Sequence, residues 1–482
     1  MGRTSRVVTG GLLICSLAAV SVPAGLQLVP AFLPQDPAAV AVLPAAQKTP
    51  AALGEVAGVD PLVSTAPLPD AATLATDLKK ALTYDAAGTF GMYVADAVTG
   101  QAIFSQDGET AKTPASNLKL LTAAAALRTL GTDTRFSTSA VSGATPNEIV
   151  LLAGGDAMLA AGESDADAAM GHAGLATLAQ QTATALAAAG VSGPVTLVID
   201  DTLFTGAALN PKWTDGDVDA GEIAPIFPMA LNAGRVAPEV LTGGRPQDSA
   251  VSVAEAFASA LEGAGVSTTG AISRGTAPAS TASAEASAAP GQAQPGAVLA
   301  SVSSATVAEQ TQYMLAESDN YVAEVLGRMV AVKLGLEATN DGAVAAVRQV
   351  VTELGLPLDG VVTTDNCGLA TGNLISPEKF VTLLSLMLAD PAADIGQALP
   401  GLPIAGLTGS LDKRFSSSSL LDGAGVVRAK TGSLNQVTSL SGYVINSDGR
   451  LLVFSILGNG LTGGAAAARP VVDAAAAVLA RS

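Results

Sequence analysis

Apolar residues recur at helical spacing from Ala71 to Leu82, and that spacing predicts a helix. Thr89 to Val94 and Gln101 to Ser105 follow as two strands, joined through Thr99-Gly100 into a β-hairpin. Thr113-Pro114-Ala115-Ser116 precedes apolar positions at Leu118, Leu120, Leu121, Ala124 and Leu127, which predicts a helix start running into a buried helix. From about Ala140 to Val302 the character changes. Short apolar strands are expected at Ile149 to Ala153 and Val195 to Ile199, with an Ala-rich helix near Ala176 to Ala189. A Ser/Ala/Pro stretch from Thr276 to Pro295 reads as a surface loop. After Ser304 the pattern is helical, over Thr306 to Glu317, Tyr321 to Leu336, Gly342 to Leu354 and Pro377 to Leu388. Strands are then expected at Gly425 to Lys430, Ser439 to Ile445 and Leu451 to Leu457, with a turn at Asn446-Ser447-Asp448-Gly449. A closing helix is expected over Pro470 to Leu479.

The N-terminus patterns differently. Arg3 and Arg6 precede an uncharged run from Val7 to Val22, and Val22-Pro23-Ala24 offers small residues for cleavage. Residues 1–30 are expected to be an export signal or a membrane anchor, and residues 31–69 a Pro/Ala-rich linker.

Composition narrows the chemistry. The chain has 482 residues, 49% of them apolar but only 3% aromatic, so its core must be built from Ala, Val and Leu. The net charge is −18 and no long basic run offsets it. Nucleic acid and anionic membrane surfaces are therefore poor partners, and membrane association is expected through the N-terminus only. His172 is the single histidine, which excludes a two-His zinc site. The two cysteines are Cys15, in the expected signal, and Cys367. Loss of the signal would leave one thiol and no internal disulfide. No metal or cofactor is expected, and a hydrolase of this composition works without imidazole.

Three short motifs occur in order: Ser116-Asn117-Leu118-Lys119, Ser318-Asp319-Asn320 and Lys430-Thr431-Gly432. Class A β-lactamases and penicillin-binding proteins share this ordered set. A serine hydroxyl needs a base to become a good nucleophile. On a helix, Lys119 shares a face with Ser116, and burial beside other positive charge lowers a lysine pKa enough for the neutral amine to serve. Ser318 can relay a proton to a leaving amine, Asn320 can hold the substrate backbone, and Lys430 supplies a fixed cation. Gly432 is expected to let substrate approach its strand closely. Ser376-Pro377-Glu378-Lys379 and Ser410-Leu411-Asp412-Lys413 match the first motif's spacing but follow Ser318. Ser376 reads as a helix cap, and Ser410 lies in a Gly-rich loop.

With these motifs in order, the chain resembles the low-molecular-mass class C penicillin-binding proteins, the D-alanyl-D-alanine carboxypeptidase/endopeptidase family of serine peptidases. Gly154-Gly155-Asp156, Val198 to Phe204, Leu402 to Gly406 and Val427 to Leu434 add to the likeness. The resemblance implies an α/β (α+β) fold: a transpeptidase-like, β-lactamase-like domain, with an antiparallel sheet flanked by helices and a large mixed insertion. The peptidase domain would take residues 70–140 and 300–482, and the insertion 141–299. It implies an acyl-enzyme on Ser116, Lys119 as base, and assistance from Ser318 and Asn320. Lys430 and Thr431 would hold the substrate carboxylate. The N–H groups of Ser116 and Ser433 would form the oxyanion hole. Peptidoglycan stem peptides would be the substrates and β-lactam antibiotics inhibitors, for an exported protein facing the cell wall.

The chain departs from the family at Asp365-Asn366-Cys367-Gly368-Leu369-Ala370-Thr371. Cys367 stands where serine is usual, and Thr371 where an arginine helps hold a diaminopimelate side chain, so lysine becomes acceptable at the third stem position. Trp213, with Asp215 or Asp217, resembles a segment lining the same side-chain pocket; core packing is the alternative for Trp213. A serine β-lactamase and an inert wall-binding protein of the same fold remain as rival readings. The first needs a deacylating glutamate between the first two motifs, and no sequence signal marks one. Gly458-Asn459-Gly460-Leu461-Thr462-Gly463 matches a dinucleotide-binding pattern, but too little chain follows it for a βαβ unit. His172 is expected at the surface, and Cys367 as a small buried packer with no basic partner.

Overall fold

The computed structural model describes residues 65–145, 147–240, 243–279 and 294–482. Asp70 caps helix α1 (Ala71–Ala81), which buries Leu74 and Leu78. The hairpin follows as β1 (Thr89–Asp96) and β2 (Ala102–Gln106). A 3-10 turn at Ala115–Leu118 runs into α2 (Lys119–Leu130), whose Ala/Leu sequence is buried on nearly every side. Next come β3 (Arg135–Ser142), β4 (Glu148–Leu152), β5 (Asp156–Leu159), α3 (Leu175–Ala188), β6 (Thr196–Asp200) and the short α4 (Asp215–Asp219). Then β7 (Met229–Leu231), α5 (Ser249–Gly263), β8 (Ser273–Arg274) and β9 (Val298–Thr306) lead to the helical stretch. That stretch is α6 (Val307–Glu317), α7 (Asn320–Lys333), α8 (Asn340–Glu353) and α9 (Pro377–Ala389). The chain closes with β10 (Arg428–Leu434), β11 (Val437–Ile445), β12 (Leu451–Asn459) and α10 (Gly464–Arg481).

The principal sheet has the order β10-β11-β12-β1-β2 and is antiparallel throughout. Its central strands are buried on both faces. Along β12, Phe454 and Ile456 join one apolar cluster with α1 and α10, while Val453 and Leu457 join another with α2, α7 and α9. The sheet is thus sandwiched between helical layers, a mixed α/β fold with an antiparallel sheet. A second sheet, β8-β6-β4-β3-β9, mixes parallel and antiparallel pairs and packs α3 and α5 in a third apolar cluster. The expected division at residues 140 and 300 falls within β3 and β9, which pair with one another.

Three local expectations need correction. Ser116 lies on the 3-10 turn, and the α-helix begins only at Lys119. Strand β10 continues past Lys430 to Leu434, because β11 supplies ladder partners as far as Leu434↔Val437 across a tight turn at Asn435-Gln436. Helix α10 starts at Gly464, ahead of Pro470, since burial of Ala468 and Val472 outweighs the proline. The expected signal and most of the expected linker lie outside the described residues, as does most of the Ser/Ala/Pro loop. Among the described residues no helix is long and apolar enough to cross a membrane.

Candidate active site

The turn that carries Ser116 is clamped to the sheet by polar side chains. Asn459 at the end of β12 brackets Thr113, accepting its N–H at 2.7 Å and donating to its carbonyl at 3.0 Å. Ser439 on β11 donates to Pro114 O at 2.7 Å, and Asn117 donates to Ser441 Oγ at 2.7 Å. Ala115 is held at φ 49°, a left-handed conformation unusual for alanine. Gly368 (φ +84°) packs beneath, where a Cβ would lie 2.0 Å from Ala115 O.

Lys119 is fully buried at the start of α2. Its Nζ lies 3.0 Å from Ser116 Oγ. It donates to Asn320 Oδ1 at 2.6 Å and to Cys367 O at 2.7 Å. Asn320 in turn donates through Nδ2 to Glu222 O at 2.9 Å, which fixes its amide with the oxygen toward the lysine. A neutral amine has two N–H groups and one lone pair. The two oxygens take both N–H groups, and the lone pair is left facing the Ser116 hydroxyl. Burial pushes the Lys119 pKa below its ordinary 10.5, against the pull of Cys367, Asp365, Asp319 and Glu324.

Ser318 caps α6 in a left-handed conformation (φ 59°, ψ 34°), which separates it from Asn320 at the start of α7. Asp319 between them caps α7 and pairs with Arg235 at 2.5 Å, both side chains buried. Lys430 reaches across from β10 and donates to Ser318 Oγ at 2.8 Å and to its neighbour's Thr431 O at 2.8 Å. It has no carboxylate within salt-bridge distance among the described residues. Burial, then the charge on Lys119, then that on Arg414 push its pKa well below 10.5. The cation expected at Lys430 thus sits where burial disfavours its charge, and a bound anion would favour it. Thr431 Oγ1 lies 2.6 Å from Ser410 Oγ. Gly432 serves internal packing: a Cβ there would lie 2.1 Å from Ser439 Oγ and 2.9 Å from Pro114 O, so the missing side chain admits the Ser116 turn. Close substrate approach, the reason expected from the sequence, is not what that hydrogen faces.

A cavity of about 690 Å³ opens over Ser116, with Asn320 and Ser433 also on its wall. Asp217 lines it, although one of its oxygens already closes the capping box of α4 with Thr214. Trp213 is buried and is not among the lining residues; its Nε1 donates to Asp365 Oδ2 at 3.0 Å. The sequence reading missed Ser410, Lys212, Glu222 and the Cys367 carbonyl. Glu222 reaches the wall from between the first two motifs, with no sequence signal beyond its place in the chain. The Cys367 thiol is buried, as expected of a packer, but a basic group does sit beside it.

The sequence matches the D-Ala-D-Ala carboxypeptidase 3 (S13) family over residues 74–253 and 242–482. The carboxypeptidase DacB of Mycolicibacterium smegmatis is 32% identical over 88% of this chain and 87% of its own length. This chain belongs to the S13 family. The D-alanyl-D-alanine carboxypeptidase of an Actinomadura species is 28% identical over 81% of each chain. The fold is that of penicillin binding protein 4 (dacB) from Haemophilus influenzae, with a TM-score of 0.65 at 19% identity over 83% of this chain and 97% of the other.

As an S13 member the chain is a serine-type peptidase of the D-Ala-D-Ala carboxypeptidase class, and the match over most of its length decides against a β-lactamase. The dinucleotide pattern at Gly458–Gly463 ends strand β12, which pairs antiparallel on both sides and so belongs to no βαβ unit. His172 is half-buried, with Nε2 2.6 Å from Arg135 Nη1. That guanidinium covers part of the surface position expected for His172.

Proposed function

We propose that this peptidase trims or cleaves peptidoglycan stem peptides, by carboxypeptidase action on a terminal D-Ala-D-Ala or by endopeptidase action, and that Ser116 is its nucleophile. The arrangement around Lys119 Nζ carries the reading, since it spends both N–H groups on fixed oxygens and leaves one lone pair for Ser116. The Ser116 Oγ attacks the penultimate carbonyl while its proton passes to Lys119. The N–H groups of Ser116 and Ser433 receive the developing oxyanion, where one donor is typically worth about 3–4 kcal/mol. The C–N bond then breaks, and the proton taken up by Lys119 passes to the leaving amine by way of the Ser318 hydroxyl, which Lys430 holds and which ends with its own proton restored. Water hydrolyses the acyl-enzyme. A β-lactam acylates the same hydroxyl, but its leaving group stays tethered. In the Haemophilus influenzae protein a β-lactam complex has been solved, with a TM-score of 0.61 to this chain.

The same reading places the protein outside the cytoplasmic membrane, in the cell envelope, with residues 1–30 as its export signal or anchor. It takes residues 70–140 with 300–482 as the peptidase body and 141–299 as an insertion. The separate apolar cluster around the second sheet supports an insertion, although Ala157, Met158, Phe204 and Trp213 pack in the main cluster and Ala140 and Ala300 in the second. Thr371 on the cavity wall carries no charge, while Lys212 brings a cation to the wall from another position. Muropeptides with lysine or diaminopimelate at the third position are therefore expected to be cleaved at comparable rates. The decisive experiment is labelling with fluorescent penicillin, followed by peptide mass spectrometry. Ser116 is expected to carry the adduct, and Ser116→Ala to abolish it while leaving the melting temperature within a few degrees. An adduct on Ser376 or Ser410 would overturn the assignment, and no labelling at all would favour an inert binder.

A further inference from the structure

Among the buried carboxylates that the mechanism above leaves unused, two grip the same turn. Glu324 stands on α7, one helical turn beyond Asn320 and on the same face. It is 1% exposed. Its Oε1 accepts the N–H groups of Asn366 (2.8 Å) and Cys367 (2.9 Å), and its Oε2 accepts from Asn366 Nδ2 (3.2 Å). Asp365, also 1% exposed, grips the other side. Its Oδ1 accepts from Gly368 N (2.9 Å) and Asn373 Nδ2 (2.8 Å), and its Oδ2 from Ala370 N (2.7 Å) and Trp213 Nε1. Neither acid has a cation at salt-bridge distance among the described residues. With Cys367 Sγ they form a cluster within 4.8 Å, but every carboxylate oxygen is already occupied by a donor of this chain, so the cluster serves internal bonding.

The turn they grip touches the reacting groups at two points. The Cys367 carbonyl accepts from Lys119 Nζ, and Gly368 lies against the carbonyl of Ala115, next to Ser116. The Asn366 carbonyl also accepts from Thr122 Oγ1 at 2.6 Å, one turn along α2. The peptide unit that Glu324 polarises through Cys367 N–H carries the Asn366 carbonyl, the acceptor for Thr122, and the Cys367 carbonyl belongs to the next unit, whose N–H on Gly368 is held by Asp365; Glu324 thus fixes the Cys367 backbone from its N–H side.

We propose that Glu324 is a positioning residue for the peptidase reaction: through the Asn366–Cys367 backbone it holds the Cys367 carbonyl on Lys119 Nζ and keeps the lysine lone pair on Ser116. The proposal rests on Lys119 being the base. The charged and titratable groups facing this network are Asp365 and Cys367 from the turn, Asp319 and Arg328 from α7, and Lys119 and Lys430. Burial and Asp365 push the Glu324 pKa up, opposed by the hydrogen bonds from Cys367 and Asn366, which favour the charged carboxylate. That charge favours the protonated lysine. Removing it lowers the lysine pKa, and the acid limb of the acylation profile moves to lower pH.

Two variants separate charge from reach, both read as the acylation rate by fluorescent penicillin across pH, with thermal melting as the check of folding. Glu324→Gln keeps an oxygen for the two backbone N–H groups and loses the charge. It is expected to move the acid limb down by half a pH unit or more, with a plateau within threefold of wild type. Glu324→Asp keeps the charge but is one methylene short, and its plateau is expected to fall at least tenfold with prior penicillin binding unchanged. Wild-type profiles in both folded variants would overturn the proposal. Lys119→Ala is the control for the underlying reading. If it acylates normally, the base assignment falls; if it is dead while the Glu324 variants are normal, only the positioning role falls. Should either variant fail to fold, the wild-type protein answers. Labelling with [1-¹³C,¹⁵N]cysteine marks only Cys15 and Cys367. The Cys367 carbonyl and amide resonances are expected to shift across the acid limb, and flat resonances there would overturn the proposal.

Discussion

Two buried amines face this site, and the distinction between them lies in their partners. Lys119 spends its two N–H groups on Asn320 Oδ1 and Cys367 O, so its proton acceptor faces Ser116. The acylation rate should therefore rise with pH through a limb below lysine's ordinary 10.5, because only the neutral amine is a base. Lys430 has Ser318 Oγ and Thr431 O, and no anion at salt-bridge distance among the described residues. A substrate carboxylate beside Thr431 would supply one and favour the ammonium, a charge-assisted contact that a C-terminal amide cannot make. Lys430→Ala is expected to slow turnover of D-Ala-D-Ala peptides at least tenfold, and to affect the amidated analogue several times less. Equal losses on acid and amide would leave Lys430 a role in proton transfer through Ser318 and remove it from carboxylate binding.

At the level of elements, the site is a seam between the edge strand β10, the 3-10 turn of Ser116 and the junction of α6 with α7. Gly432 is the tightest point of the seam. Gly432→Ala would drive a methyl against Ser439 Oγ and Pro114 O, at a cost of about 1–3 kcal/mol of overpacking. The melting temperature should fall and penicillin labelling should fall further, because Ser439 anchors the Ser116 turn. Adding Ser439→Ala removes the nearest clashing atom and should recover part of the melting temperature. No recovery would place the strain elsewhere. Helices α1, α3, α6, α8 and α9 were legible in the sequence because each buries one stripe at a 3.6-residue period, whereas α7 is buried on every side from Asn320 to Ala331. The 3-10 turn was not, since Ala115 adopts its left-handed φ only under Gly368 and Ser439, neither of which is local. The extension of β10 was hidden for the same reason: its ladder belongs to β11. Pro470 misled the start of α10, where burial overrode a local preference.

Across the whole molecule, what the sequence disclosed was the chemistry of the three motifs, and what it hid was how distant segments meet. Ser116 and Lys119 are three positions apart and readable together. Glu324 and Cys367, or Ser410 and Thr431, are joined only by the fold, and no spacing rule connects them. Asp156 shows the same limit with a measurable consequence. It stands in Gly154-Gly155-Asp156, which the sequence offered only as part of a family likeness. In the structure it is 1% exposed on β5; one oxygen accepts from Met158 N, and the other has no partner among the described residues. Burial, only partly opposed by that one hydrogen bond, pushes its pKa from the ordinary 3.8 up to about 7. The folded chain then keeps a proton that the unfolded chain releases. This contribution to stability is full below about pH 4 and is lost as pH rises through 7. Asp156→Asn cannot ionise and still offers an oxygen to Met158. Its melting temperature relative to wild type should therefore climb between pH 4 and pH 8, by several degrees for a domain of this size. Every other titrating group is shared by the two proteins and cancels in the difference. A difference that stays flat across that range would mean that Asp156 finds a charge partner or water in the folded protein and is ionised there.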